Sequence, residues 1–347
     1  MSVLFEPIEL GNLKLANRII MAPLTRARAG VERIPNDVMA TYYAQRASAG
    51  LIITEATSVD PMGVGYADTP GIWSQEQVTG WKKITEAVHM KGGTIILQLW
   101  HVGRISDPMF LDGKQPVAPS AIAAEGHVSL VRPEKNYVVP RELMTSEIPA
   151  IVEAFRKGAQ NAKDAGFDGV EIHGANGYLL DQFLQDSTNK RTDQYGDSIE
   201  NRARFALEVT DAVLTVWDAG NVGYHIAPRA DSHTMGDSNL EATFTYLMDK
   251  LRDRRLAFVF SRETQGTGYL GNKLAKAFGG AFIVNQQLEK EAAEAIIKNG
   301  DATAVAFGMK FISNPDLVHK LQEGLPLTPV NMATIYAKGE TGYSDYP

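Results

Sequence analysis

Eight apolar runs recur along the chain, each followed by a stretch with helical spacing. They begin at Ile19, Leu51, Thr94, Val170, Val222, Leu256, Ala281 and Ala304. The runs are continuous rather than alternating, as expected of strands covered on both faces. Parallel strands of that kind need crossover connections, and helical segments at about 36–48, 74–91, 147–165, 198–217, 240–254, 272–277 and 288–299 supply them. Eight such units predict an α/β fold, a closed (β/α)8 TIM barrel. The even repetition argues against an open doubly wound sheet, and with no compositional break residues 1–347 are expected to form a single domain.

Two features decorate this barrel. Residues 3–18 alternate and turn at Gly11-Asn12, which predicts an N-terminal β-hairpin. After the third run comes a long irregular excursion, about 101–140, carrying Pro108, Pro116, Pro119, Pro133 and Pro140. A loop this long inside a compact domain is more often a functional cover than a linker.

Chemistry in such a barrel gathers where strands end and loops begin. The stretch Val170 to Tyr178, VEIHGANGY, releases His173, Asn176 and Tyr178 just where a buried strand turns. His and Asn can donate hydrogen bonds to one carbonyl oxygen, and Tyr can donate a proton beside them. Taken alone, the same residues read equally well as buried side chains satisfied by backbone. The barrel is what brings them to a common mouth with Pro23-Leu24-Thr25, Glu55-Ala56-Thr57, Gln98-Leu99-Trp100, His225, Ser261-Arg262, Asn285-Gln286 and Gly308-Met309. Gln98 presents a donor and an acceptor on one amide edge, the pattern that would grip a flavin pyrimidine ring, or equally that of a buried amide satisfied by backbone. Trp100 and Tyr66 are expected to line an aromatic pocket or to serve as core or lid.

Other signals narrow the field. The formal charge of -7 and the lack of a basic stripe make nucleic acid an unlikely partner. There is no cysteine, so disulfides, thiolate zinc sites and cysteine nucleophiles are excluded. The seven histidines contain no H-x-H or H-E-x-x-H, and no metal site is expected. No run reaches the length of a membrane span and no signal peptide is evident, which predicts a cytoplasmic protein without a membrane partner. Gly266 to Gly271 match G-x-G-x-x-G, but after the sixth strand rather than the first, so a barrel loop is expected there. Arg191 is read as structural, holding Asp193 and Glu200.

Long segments resemble the old yellow enzyme family of flavin-dependent ene reductases, the group of N-ethylmaleimide reductase and pentaerythritol tetranitrate reductase. They include LFEPIELGNLKLANRIIMAPLTRAR, GYADTPGIWSQEQV, QLWHVGR, AGFDGVEIHGANGYLLDQFLQDSTNKRTDQYG, ENRARF, ISNPDL and the closing GYSDYP. The resemblance implies an oxidoreductase that binds FMN non-covalently and takes electrons from NAD(P)H. It implies flavin contacts at Pro23, Leu24, Thr25, Ala56, Gln98, His225, Asn285, Gln286, Gly308 and Met309. His173 and Asn176 would hold the oxygen of a small unsaturated carbonyl, nitro or maleimide substrate. Tyr178 would supply a proton, with Tyr66 and Trp100 shaping the pocket.

Two positions depart from the family pattern, and both concern the cofactor. His225 stands where the family has an arginine beside flavin N1 and C2=O, with Arg229 as a candidate substitute. Met309 stands where the family has a phosphate-binding arginine, leaving backbone N–H groups and Lys310. Each lost charge-assisted bond costs roughly 1.5–3 kcal/mol, about ten- to a hundredfold in affinity. Weak FMN binding is therefore expected. The other reading is a flavin-poor relative, acting as a small-molecule binder or a Tyr178-dependent isomerase.

Overall fold

The computed structural model describes residues 2–229 and 232–347. The N-terminal hairpin is present, with β1 (Ile8–Leu10) and β2 (Leu13–Leu15) antiparallel across Gly11-Asn12. It caps the bottom of the barrel. Asn12 N–H donates to the Gly220 carbonyl at 2.8 Å, and Leu10, Leu13 and Leu15 close over the barrel's apolar interior.

The chain then lays down β3 (Ile19–Met21), β4 (Leu51–Ile53), the short β5 (Thr57–Ser58) and β6 (Ile95–Trp100). Within the excursion, β7 (Val117–Ala118) pairs with β8 (Arg141–Glu142). The remaining strands are β9 (Val170–His173), β10 (Val222–Ile226), β11 (Phe258–Arg262), β12 (Phe282–Asn285) and β13 (Ala304–Phe307). The strands from β3 to β6 and from β9 to β13 pair in parallel, β5 only with β6 at the edge of the ring. The β3–β13 and β4–β6 pairings close the ring of eight.

Helices α1 (Asp37–Ala44), α2 (Gln75–His89), α3 (Ile148–Asp164), α4 (Leu179–Leu184), α5 (Ile199–Leu214), α6 (Leu240–Asp253), α7 (Gly271–Phe278) and α8 (Lys290–Lys298) connect them. After β13 come α9 (Met309–Ser313) and α10 (Leu317–Glu323). Their starts follow from local chemistry. Asn36, Ser74, Ser198 and Asn239 each accept a backbone N–H from the first turn. Ser74 and Gln77 complete a capping box.

Two apolar clusters explain the continuous hydrophobic runs. One face of each strand fills the barrel, with Ile20, Ile53, Ile96, Phe258, Phe260, Ile283 and Ala304. The other face packs on the helices, with Ile52, Leu97, Ile172, Val259 and Val305 meeting Trp81, Phe155, Phe205 and Leu247. A third cluster lies under the excursion, where Val102, Ile105, Val128 and Tyr137 pack with Trp100. Among the described residues no helix is long and apolar enough to cross a membrane.

β11 ends at Ser261-Arg262 as expected, with Arg262 pairing with Asn285 in the ladder. One expectation changes. Arg191 is structural, but its partners are Asp193 at 2.5 Å and Glu142 at 3.4 Å rather than Glu200. Glu200 instead lies in the first turn of α5.

Candidate active site

At the C-terminal ends of the strands lies a half-enclosed cavity of about 850 Å3. Pro23, Leu24, Thr25, Ala56, Tyr66, Gln98, His173, Asn176, Tyr178, His225, Asn285, Gln286, Gly308 and Met309 all line it. The sequence placed these residues on separate strand ends and loops, and the barrel closure brings them together. Trp100 is a correction. It is fully buried and stands behind the wall, its ring 5.4 Å from Tyr66 and 5.0 Å from Tyr178. As the last residue of β6 it points inward beneath the excursion, so it supports the two tyrosines from behind.

The turn after β9 is built for its polar residues. Gly174 leaves no room for a side chain, since a Cβ there would lie 2.2 Å from Tyr224 Oη. Asn176 adopts φ 59°, a left-handed conformation that Asn tolerates better than most residues. Its side-chain oxygen accepts from Arg262 Nη1 at 2.9 Å, and its carbonyl lies 2.7 Å from His233 Nδ1.

His173 is buried beside Tyr178, with ring centroids 5.2 Å apart, and its Nδ1 has no partner. Burial, with His225 and Arg262 nearby, pushes its pKa well down, so the ring is neutral and keeps one N–H. Tyr178 Oη lies 2.8 Å from Tyr66 Oη. Burial raises both phenols, which therefore stay protonated across the physiological range.

The floor holds Gln98, Glu171 and His225. Gln98 Nε2 donates to Glu171 Oε2 at 2.6 Å and lies 3.1 Å from His225 Nδ1. Burial lifts Glu171 to about 8 and pushes His225 down to about 3. The cation expected at Arg229 is elsewhere. Arg229 pairs with Glu263 at 2.5 Å and donates to the carbonyls of Thr264 and Thr267, so it secures the glycine-rich loop outside the cavity. Arg262 is a cation that does face the cavity, and it also donates from Nε to Gln286 Oε1 at 3.2 Å.

The far end of the cavity is lined by Asn285, Gln286, Gly308, Met309 and Lys310. Asn285 spans two strands by donating to the Ala306 carbonyl. Lys310 Nζ is engaged by the Leu288 carbonyl at 2.7 Å and by Glu289 at 2.6 Å. Met309 is 41% exposed and brings no donor beyond its backbone.

Sequence reasoning expected a cover from the excursion but named none of its residues, and it missed the C-terminal segment. The excursion contributes His127, Ser129, Leu130 and Arg132 to the cavity wall, which makes it a cover. The C-terminal segment contributes Tyr336. Arg26 and Arg28 hold that segment through the carbonyls of Ile335, Gly339, Thr341 and Gly342. Tyr343 stacks on Tyr42 at 4.0 Å. Glu55 supports the other side by accepting from the backbone of Arg26 and Ala27, which fixes the loop after Thr25.

A narrow cavity with polar groups on its floor and a mixed polar tail suits a flat aromatic ring carrying a polar chain. The buried, unpartnered His173 Nδ1 and His225 Nε2 are among the groups such a ring and its substrate would meet. The residues present therefore fit a flavin.

Comparison with known proteins points the same way. Residues 3–328 match the model of the NADH:flavin oxidoreductase / NADH oxidase family. A 12-oxophytodienoate reductase 1 from Oryza sativa subsp. japonica is 41% identical, over 99% of this chain and 92% of its own length. A probable flavin mononucleotide-dependent alkene reductase from Leishmania infantum is 42% identical, covering 99% and 97% respectively. Among solved structures, the old yellow enzyme homologue from Zymomonas mobilis superposes with a TM-score of 0.96 at 43% identity, over 99% of both chains. Morphinone reductase in complex with tetrahydroNAD gives 0.95 at 47% identity, over 99% of this chain and 97% of that one.

Proposed function

The chain belongs to the NADH:flavin oxidoreductase / NADH oxidase family, the old yellow enzymes, and from that premise we propose that it reduces the activated C=C bond of α,β-unsaturated carbonyl, nitro or maleimide compounds. The family is FMN-dependent and uses NAD(P)H. Thr25, Ala56, Gln98 and His225 would hold the FMN ring, and Gly308 with its neighbours would hold the phosphate. Bound there, FMN supplies hydride transfer from the nicotinamide to the substrate's β-carbon.

The chain's own residues do the rest. The N–H of neutral His173 and the amide of Asn176 donate to the substrate oxygen and draw charge toward it, which makes the β-carbon electrophilic. Arg262 holds the Asn176 oxygen, so the Nδ2 donor is left for the substrate. Tyr178 holds a proton at Oη for the α-carbon, and Tyr66 Oη, in hydrogen-bond contact, is placed to replace it. The excursion and Tyr336 limit water access. The reading includes a single domain over residues 1–347 and a cytoplasmic setting where NAD(P)H is available.

One observation carries this proposal: His173, Asn176 and Tyr178 converge on one cavity with the flavin-facing residues of the other strands. The test is product analysis. With FMN, NADPH and 2-cyclohexenone, the purified protein should form cyclohexanone, and absence of saturated ketone would overturn the proposal. A second reading is favoured by Met309 and by the occupied Lys310 ammonium. On that reading the protein is a flavin-poor binder or Tyr178-dependent isomerase, and it would convert or retain an enone without NADPH.

A further inference from the structure

One carboxyl lies inside the apolar interior of the barrel. Glu171 is fully buried on β9, on the same side as Gln98 and in the layer below His225. Its Oε2 accepts from Gln98, and its Oε1 has no partner among the described residues. His225 Nδ1, at 3.5 Å, is the one basic group within ion-pair distance among the described residues. A buried carboxylate without a cation costs several kcal/mol, and such groups neutralise instead. Burial accordingly holds the Glu171 proton in place to about 8, while it keeps His225 neutral.

The surrounding groups define what can happen to that proton. From β9 come Glu171 itself and His173, whose ring stacks on His225 at 5.0 Å. From β11 come Phe260, at 4.4 Å, and the Arg262 charge. From β6 comes Gln98, whose amide lies against both Glu171 and His225 Nδ1. His225 Nε2 is buried and unpartnered, and the ring lines the cavity. One edge of His225 thus meets the carboxyl while the ring faces the cavity.

We propose that Glu171 and His225 share one proton, which rests on the carboxyl while a neutral ring occupies the cavity and crosses to the imidazole when that ring becomes an anion. The inference rests on the flavin reading above. A flavin held there would gain one negative charge on accepting hydride, which carries two electrons and one proton. The Glu171 O–H bond then breaks, an Nδ1–H bond forms on His225, and the resulting imidazolium faces the anion. Reoxidation by the unsaturated substrate would return the shared proton to Glu171, while the proton added at the α-carbon comes from Tyr178 and is replaced from solvent. The 3.5 Å gap becomes a hydrogen bond after a shift of roughly 0.6 Å. The pair stays net neutral throughout: only in the reduced state does it turn a cationic end toward the ring, with the carboxylate left beneath it, where a fixed arginine would carry its charge in both states.

The test is a reduced-minus-oxidised infrared difference spectrum of the flavin-loaded protein near pH 7. A protonated-carboxyl C=O band should be lost on reduction and regained on reoxidation. The loss should vanish in Glu171→Gln. It should also vanish in His225→Arg, where the carboxyl is ionised throughout. No carboxyl loss in the wild type, or an unchanged loss in either variant, overturns the proposal. If the protein takes up no FMN, the flavin reading fails on its own. The pair is then tested by pH titration of the protein without flavin. A carboxylic acid band that disappears with a midpoint near 8 is expected, and a Glu171 carboxylate already present at pH 6 overturns the proposal.

Discussion

Arg262 Nη1 donates to Asn176 Oδ1 at 2.9 Å, joining the ends of β9 and β11 over the intervening strand β10. A guanidinium has donors only, so this bond fixes which way the Asn176 amide faces. Arg262→Met removes it and frees the amide to rotate. We expect kcat/KM for an enone to fall about ten- to a hundredfold, the equivalent of roughly 1.5–3 kcal/mol. Arg262→Lys should recover part of the loss. Wild-type efficiency in Arg262→Met would show that Asn176 needs no such support.

Tyr178 is the proton source in this account, and it takes no part in the nicotinamide half-reaction. Tyr178→Phe should therefore slow enone reduction by about 100-fold or more, within the range for lost general acid catalysis. Flavin reduction by NADPH should change far less. Stopped-flow absorbance separates the two steps, and equal slowing of both would remove Tyr178 from the proton-donor role.

At the tail of the cavity, Lys310 is engaged by Leu288 and Glu289. Met309→Arg adds a cation at a partly exposed position. It should tighten FMN by about ten- to a hundredfold, one charge-assisted hydrogen bond of roughly 1.5–3 kcal/mol, and leave riboflavin affinity nearly unchanged. Calorimetric titration with the two flavins measures both, and equal gains for each would place the new arginine away from the phosphate.

Glu171 also sets a pH dependence of stability. Its folded pKa, about 8, lies above the ordinary carboxyl value, so the unfolded chain releases this proton first as pH rises. The resulting loss of stability is absent below about pH 4, develops between there and pH 8, and is then constant. Glu171→Gln should accordingly raise Tm more at pH 9 than at pH 5. An equal gain at both would mean that Glu171 is ionised in the fold at either pH.

The barrel was readable because its strands are buried on both faces, which makes them continuous apolar runs. Ser261-Arg262 was legible as the strand end, but contacts made beyond the strands leave no such signal. Arg229 is near His225 in sequence, yet the chain turns and commits it to Glu263. Glu171 carried a usable clue, a lone acid within a doubly buried strand. Its partners could not be found, because Gln98 and His225 meet it only through the β6–β9 and β9–β10 pairings. Tyr336 was hidden for another reason. Its segment is held by arginines bonding to backbone carbonyls, which leaves no side-chain pattern in the sequence.

The most direct test is an anaerobic reoxidation experiment. FMN-loaded protein is reduced with one equivalent of NADPH and mixed with 2-cyclohexenone while visible absorbance is followed. The flavin bands should return in full, with one cyclohexanone formed per flavin. Failure to take up FMN, or bands that stay bleached in excess enone, would contradict the account.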